Sequence, residues 1–197
     1  MSQFISPLVF INALAWVCHL TRGKMRKGDG TPYFGHLLRV AGLVYEGGGT
    51  ERAAIIGLLH DILENYDHAA TVIKVTLGED ILLLVQECSN TEVRPKPPWR
   101  ERKVQHLHSL ETAHPDVLRV MLADKLDNGR SLVDLYIHGS VFPFSAPLKE
   151  QVWHYQEFLC LVVRRQTEIP GTENQIDRLS TIVADLEDCL DEQTSDE

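Results

Sequence analysis

The segment from Glu51 to Glu64 is apolar on nearly every side when it is drawn as an α-helix. Thr50, directly before it, is a favourable N-cap residue. A helix with apolar residues all around has no face to offer to solvent, so it has to lie in the middle of a folded domain. The rest of the chain must therefore build a core around this one helix.

Apolar residues recur mainly at helical spacing in the rest of the chain, and Gly, Pro and Asn fall between the periodic blocks. The strict alternation that is typical of strands is nearly absent. We predict an all-α fold, a helical bundle of about eight to ten helices. The predicted helices span approximately residues 7–20, 34–46, 51–64, 69–76, 79–89, 99–113, 115–136, 148–167 and 173–190.

A chain of 197 residues with 44% hydrophobic residues suits one domain with one buried core. We predict this domain over residues 1–184, followed by an acidic tail over 185–197 that is partly frayed. Seven of the 28 acidic residues lie in the tail, so the remaining 21 nearly balance the 19 basic residues. The formal charge of −9 therefore says little about local surfaces, and we expect no DNA or RNA partner.

The four cysteines are far apart and form no CxxC or CxxH pair, which argues against a zinc knuckle or a redox motif. Reduced, packed thiols are the simpler interpretation. The apolar stretch from Leu8 to Leu20 is too short to span a bilayer, and no basic residue precedes it as in a secretory signal. We expect a cytoplasmic protein without membrane contact, and homo-oligomer formation stays open.

Two helices that are otherwise apolar contain abrupt polar residues, His60-Asp61 in one and Asp124 in the other. A buried carboxylate is costly unless it is paired or binds a metal, and two that approach each other repel unless positive charge lies between them. His36 precedes another apolar run and can add a second imidazole. We predict a divalent cation bound by these four residues, His36, His60, Asp61 and Asp124. For either histidine taken alone, the commoner case is a buried imidazole that is satisfied by a backbone carbonyl.

Mixed nitrogen and oxygen ligands suit manganese, iron or zinc. Glu64 follows His60 and Asp61 by one helical turn, so we predict that it orients or deprotonates a water molecule. Basic residues beside His36 offer donors for phosphate oxygens, with a solvated basic face as the alternative. They are Lys24, Arg26, Lys27 and Arg39. A second cluster with the same two interpretations comprises Arg94, Lys96, Arg100, Arg102 and Lys103, with Trp99 as a residue that stacks on a base or anchors the loop.

The stretch from Arg26 to Arg130 resembles the hydrolase domain of RelA/SpoT homologues, the alarmone-degrading branch of the HD superfamily. The matching pieces are Arg26-Lys27, Gly30-Thr31-Pro32-Tyr33 with His36, Leu58-Leu59-His60-Asp61 with Glu64, Leu77-Gly78, Glu101-Arg102-Lys103, and Leu122-Ala123-Asp124-Lys125-Leu126 with Asn128 and Arg130. The resemblance implies Mn²⁺ bound by His36, His60, Asp61 and Asp124. It also implies substrate contacts from Arg26, Lys27, Tyr33, Lys103, Asn128 and Arg130.

The sequence departs from the family pattern at three positions. Asn65 follows Glu64 where the family usually has Asp, so the catalytic pair implied by the resemblance is Glu64 and Asn65. An amide keeps hydrogen-bonding ability but loses the charge and the base. Thr21 stands where the family often has His, and Met121 stands where Lys is common.

The resemblance implies a hydrolase that removes the 3′-diphosphate of guanosine tetraphosphate, or of a close relative, and releases pyrophosphate. One alternative keeps the metal and changes the substrate to an adenosine alarmone, NADPH or a nucleoside monophosphate. Another alternative, motivated by Asn65, is a nucleotide-binding sensor that turns over slowly or not at all.

Overall fold

The computed structural model describes residues 7–26, 30–89, 97–138 and 146–195. Within these ranges the chain forms ten α-helices, one 3₁₀ turn at Gln166–Glu168 and no strand, which confirms the all-α prediction. The helices are α1 (Pro7–Leu20), α2 (Tyr33–Glu46), α3 (Glu51–Leu59), α4 (Ile62–Asn65), α5 (Ala69–Leu77), α6 (Glu79–Cys88), α7 (Trp99–Leu110), α8 (Pro115–Ile137), α9 (Leu148–Arg164) and α10 (Glu173–Ser195).

Helix α3 is the centre of the fold, as its all-round apolar sequence predicts. Every residue from Ala53 to Leu59 is buried, and α3 packs against α1, α2, α6 and α8. The Thr50 side chain accepts a hydrogen bond from the Ala53 backbone N–H at 3.2 Å and so caps the helix. Full burial of each large aliphatic side chain stabilises the fold by roughly 1.5–3 kcal/mol.

Helix α8 is the second buried element, and it carries polar residues into the core. It packs against α2, α3, α6, α9 and α10. Pro115 occupies its first turn, and the His114 side chain accepts a hydrogen bond from the Asp116 backbone N–H at 3.0 Å. Asp124, Lys125 and Asp127 are all buried on this helix.

The predicted continuous helix over residues 51–64 was wrong at His60 and Asp61, where a turn separates α3 from α4. The His60 ring nitrogen Nδ1 lies 2.8 Å from the Gly57 carbonyl oxygen, and the Asn65 amide donates to the Asp61 carbonyl at 2.8 Å. Side chains that bond nearby carbonyls compete with the backbone ladder, which accounts for the break. The turn places two polar side chains at one point.

Helix α10 continues to Ser195, whereas the sequence predicted an end near residue 190. That the acidic tail is partly frayed stays a prediction. The helix is longer because buried apolar residues recur at helical spacing into the acidic segment, at Leu179, Val183 and Leu186. These residues lie on the helix that packs against α8 and α9. The acidic residues from Asp185 to Glu192 are thus part of a packed helix.

All four cysteines are unpaired thiols; Cys88 is buried, Cys189 is half-buried, and Cys18 and Cys160 are exposed. The prediction of packed thiols therefore holds for only part of the set. In the described part of the chain, no helix has both the length and the apolar character that crossing a membrane would require.

Candidate metal centre

Three of the four predicted ligands meet in the core. One ligand atom from each of His36, His60 and Asp124 lies within 4.8 Å of the others, and all three residues are buried. The Nε2 atoms of His36 and His60 are each 3.3 Å from Asp124 Oδ1. Helix α2, the turn after α3, and helix α8 supply one residue each, so the packing of these elements brings them together.

Asp61, the fourth predicted ligand, lies at the open edge of this cluster. Its Oδ1 is 3.7 Å from His60 Nε2, and 38% of its side chain is exposed. The Tyr33 hydroxyl donates to Asp61 Oδ2 at 3.3 Å. Asp61 is therefore placed where it faces both the buried imidazoles and solvent.

The donor atoms fit a divalent cation. His60 Nδ1 is engaged by the Gly57 carbonyl, while His60 Nε2 is buried and has no hydrogen-bond partner among the described residues. A buried polar atom left in this state costs about 1–3 kcal/mol. Two imidazole nitrogens with carboxylate oxygens form a set that manganese, iron and zinc accept.

The electrostatics of the cluster call for positive charge. Burial lowers the pKa of His60, but Asp61 and Asp124 outweigh it and raise that pKa to about 9. Burial works to raise the pKa of Asp124, yet the neighbouring imidazoles of His36 and His60 hold that pKa well below its usual range. A cation that binds here must displace the imidazole protons, so its affinity will depend on pH.

Asp127, which was not predicted as a site residue, contacts His36 at the ring nitrogen that does not face Asp124. Its Oδ2 lies 2.7 Å from His36 Nδ1, and the Arg39 guanidinium forms a double contact with the same carboxylate. Asn128 Nδ2 donates to Asp124 Oδ1 at 2.6 Å. The available signal was an acidic residue three positions after Asp124, which places it near the same helix face.

The predicted catalytic residues lie on the short helix α4. Glu64 is exposed, one turn after His60 and Asp61, and its charge acts on Lys103 of helix α7. Asn65 is also exposed, and its amide is bound to the Asp61 carbonyl. Glu64 thus faces solvent beside the cluster, while Asn65 holds the turn that carries Asp61.

A cavity of about 210 Å³ contains two of the predicted substrate residues, Lys103 and Asn128. The other residues that line it are Trp99, Lys125, Leu132, Gln151, His154 and Tyr155. Lys125, which was not among the predicted site residues, is buried directly after Asp124, with Nζ 5.1 Å from the centre of the Tyr155 ring. Burial and the neighbouring Lys103 lower the pKa of Lys125 to about 8. The cavity is therefore lined by two cations.

The remaining predicted substrate residues are dispersed around the cluster. Tyr33 is buried and binds Asp61, Arg26 directs its guanidinium to Asp127 and Asn128, and Arg130 is exposed on α8. Lys27 lies outside the described residues, as do Arg94 and Lys96 of the second basic cluster. In that cluster, Arg100 pairs with Glu150 and Arg102 donates to the Pro97 carbonyl, so neither points into the cavity.

The sequence is similar to those of known pyrophosphohydrolases. The chain is 34% identical over 125 residues to the guanosine-3′,5′-bis(diphosphate) 3′-pyrophosphohydrolase MESH1 of Mus musculus, covering 62% of this chain and 68% of that protein. It is 30% identical over 112 residues to a probable enzyme of the same activity from Synechocystis, covering 55% of this chain and 15% of that protein.

Two solved structures share the fold. A metazoan orthologue of SpoT, described as hydrolysing ppGpp, superposes with a TM-score of 0.70 at 22% identity, covering 87% of this chain and 93% of that one. A structure from Listeria monocytogenes superposes with a TM-score of 0.65 at 28% identity, covering 78% of this chain and 94% of that one. The family model described as HD domain matches residues 13–138, which include all four predicted ligands. Because this match spans more than half of the sequence, the chain belongs to the HD domain family.

Proposed function

We propose that this chain is a metal-dependent hydrolase that removes the 3′-diphosphate from (p)ppGpp and releases pyrophosphate. The observation that carries the proposal is the convergence of His36, His60 and Asp124, beside a cavity that two lysines line. The similarity to guanosine-3′,5′-bis(diphosphate) 3′-pyrophosphohydrolases supports the choice of substrate.

The proposed ligands are His36, His60, Asp61 and Asp124, and the proposed metal is Mn²⁺. The unpartnered His60 Nε2 and the short distances to Asp124 Oδ1 support this choice of residues. A divalent cation bound there would polarise a phosphoryl oxygen and lower the pKa of a water molecule. Asp61 extends the ligand set toward the solvent side, where the substrate enters.

Glu64 is proposed to accept a proton from the attacking water. The water oxygen forms a bond to the phosphorus next to the ribose 3′-oxygen, and the bond between that phosphorus and the 3′-oxygen breaks. The proton taken up by Glu64 is returned to the 3′-oxygen, which leaves as a hydroxyl. The exposed position of Glu64, one turn after His60 and Asp61, is consistent with this exchange.

The cavity lined by Lys103 and Lys125 is proposed to hold the nucleotide. Ammonium groups and the Asn128 amide are suitable partners for phosphate oxygens, and Trp99 offers a ring on which a base can stack. Tyr33, Arg130 and Lys27 remain substrate contacts predicted from the family resemblance.

The direct test is to incubate the Mn²⁺-loaded protein with ppGpp and to separate the products by anion-exchange chromatography. We expect equal amounts of GDP and pyrophosphate, and no product from His60→Ala, with His138→Ala as an exposed control. An adenosine alarmone, NADPH and nucleoside monophosphates belong in the same panel. Turnover of one of these in place of ppGpp would contradict the proposed substrate.

A sensor with little turnover is the second candidate function. The observation that favours it is Asn65, an amide that is bound to the Asp61 carbonyl and lacks the charge of the usual family residue. Binding of ppGpp without hydrolysis by the Mn²⁺-loaded protein would support the sensor over the enzyme.

A further inference from the structure

Five side chains around the candidate metal centre form a closed ring of polar contacts. Asn128 Nδ2 donates to Asp124 Oδ1 at 2.6 Å, and Asn128 Oδ1 accepts from Arg26 Nη2 at 2.7 Å. Arg26 Nη1 donates to Asp127 Oδ2 at 2.7 Å, and the same oxygen lies 2.7 Å from His36 Nδ1. His36 Nε2 closes the ring at 3.3 Å from Asp124 Oδ1.

The ring joins three separate parts of the chain and is shielded from solvent. His36 lies on α2, the aspartates and Asn128 lie on α8, and Arg26 belongs to the segment before α2. The exposed fractions of the side chains are 3% for His36, 6% for Asp127 and 13% for Arg26. Water competes little for such contacts, so each of them constrains its partners more than a surface hydrogen bond would.

Two of these contacts orient atoms of the proposed ligands His36 and Asp124. A histidine that donates its Nδ1 proton to a carboxylate keeps the lone pair on Nε2, which is the atom that faces Asp124 and His60. On the other side of the ring, Asn128 fixes the rotation of the Asp124 carboxylate. Arg26 is the only member that touches both supports, Asp127 and Asn128, since it uses one terminal nitrogen for each.

We propose that Asp127 and Arg26 are positioning residues of the metal centre. Asp127 sets the tautomer and orientation of His36, and Arg26 ties Asp127 to Asn128 and through it to Asp124. Two ligands from different helices are thereby held in place before a cation arrives. The inference rests on the proposed function only in taking His36 and Asp124 as ligands, and it gives Arg26 a role different from direct contact with phosphate.

The test measures Mn²⁺ binding by isothermal titration calorimetry on the full-length metal-free protein, without nucleotide. We expect Asp127→Asn to weaken binding by about 10–100-fold, the usual effect of losing such a support. Asp134→Asn, an exposed change on the same helix, is the matched control and should leave affinity unchanged. Nitrogen-15 spectra of the metal-free protein, recorded at alkaline pH where the imidazole is neutral, should show His36 as the Nδ1–H tautomer in the unmodified protein and a tautomer mixture in Asp127→Asn.

Arg26→Gln and Arg26→Lys test the other half of the ring. Both should weaken Mn²⁺ binding, since lysine keeps the charge but cannot reach both supports with a planar fork. The double variant Asp127→Asn/Arg26→Gln should lose less than the product of the single losses, because both changes open the same ring. Thermal unfolding followed by circular dichroism identifies any variant that does not fold, and if Asp127→Asn fails to fold, Arg26→Gln decides.

A folded Asp127→Asn or Arg26→Gln protein that binds Mn²⁺ as tightly as the unmodified protein would overturn the inference. The proposed function fails on a different observation. If the unmodified protein binds Mn²⁺ but does not hydrolyse ppGpp, the substrate assignment is wrong. The Mn²⁺ titrations of the variants still test the positioning roles of Asp127 and Arg26.

Discussion

Glu64 lies on the exposed side of α4, close enough to Lys103 for the two charges to interact. In Glu64→Gln the shape is kept while the proton acceptor and its negative charge are lost, so we expect Mn²⁺ affinity to be unchanged and kcat to fall by about 10²–10⁴-fold. Steady-state kinetics with ppGpp, together with a metal titration, measure the two effects separately. Glu157→Gln, an exposed change on α9, is the control. Loss of metal in Glu64→Gln would make Glu64 a ligand and contradict the role assigned to it.

Substitution of Asn65 distinguishes the two candidate functions, an efficient hydrolase and a sensor with little turnover. Asn65→Asp restores the residue that the family usually has but removes the amide that donates to the Asp61 carbonyl. If the unmodified protein is an efficient enzyme, the change should lower kcat/KM several-fold, because the turn that carries Asp61 loses a hydrogen bond worth about 0.5–1.5 kcal/mol. If the protein is a sensor, pyrophosphate release should rise instead. Single-turnover measurements of pyrophosphate give the direction of the change.

The four proposed ligands could be singled out from the sequence because each is a polar residue in or beside an apolar segment, and that anomaly is visible without coordinates. Asp127 and Lys125 could not be predicted in the same way. Both lie in a segment where polar residues stand next to one another, as Asp124-Lys125 and Asp127-Asn128, and only the rotation of α8 against α2 and α9 decides which of them faces the centre. Sequence periodicity locates a helix face with too little precision to choose between neighbouring positions.

At the scale of elements, helices α8, α9 and α10 meet at Gly129. A Cβ atom added at this position would lie 2.7 Å from Ile182 Cγ2 and 2.9 Å from Tyr155 Cε1, so both neighbours would have to move. Gly129→Ala should therefore lower the free energy of unfolding by about 1–3 kcal/mol, as overpacked cores do. Urea unfolding followed by circular dichroism measures the loss.

Gly57 on α3 provides the matched control for this change. A Cβ atom there would make ordinary contacts, 3.4 Å from Ala41 Cα and 3.5 Å from Val40 Cγ1. Alanine also has the higher helix propensity by about 1 kcal/mol, so Gly57→Ala should be neutral or stabilising. Equal effects of the two substitutions would show that α8, α9 and α10 are not closely packed at Gly129.

The positions of most helices could be predicted because Gly and Pro fall at their ends, as at Pro7, Pro115 and Gly78. The break between α3 and α4 could not, since it depends on the His60 side chain bonding the Gly57 carbonyl rather than on a helix-breaking residue. The same feature that ends α3 also orients a predicted metal ligand. One contact, between His60 and the Gly57 carbonyl, is thus associated both with the end of α3 and with the orientation of a proposed ligand.

For the molecule as a whole, α10 determines how far the core extends toward the C-terminal end. Its acidic composition suggests a solvated tail when charge alone is considered, but its apolar residues keep a helical spacing that packs on α8 and α9. Charge alone favours a solvated segment and apolar spacing favours a helix for residues 185–192, and these residues are helical in the structure. Burial of a few aliphatic side chains outweighs the repulsion among exposed carboxylates, which water and salt screen.

Substitution of Leu186 measures how much apolar burial stabilises the acidic segment. Leu186 is fully buried although acidic residues flank it on both sides. Leu186→Ala should lower the free energy of unfolding by about 2–5 kcal/mol, as other buried leucine-to-alanine changes do. Leu83→Ala, which truncates a leucine that is 52% exposed on α6, should have a much smaller effect. Urea unfolding of both variants gives the comparison. If Leu186→Ala cost no more than Leu83→Ala, the acidic segment would be frayed in solution and the core would end before Asp185.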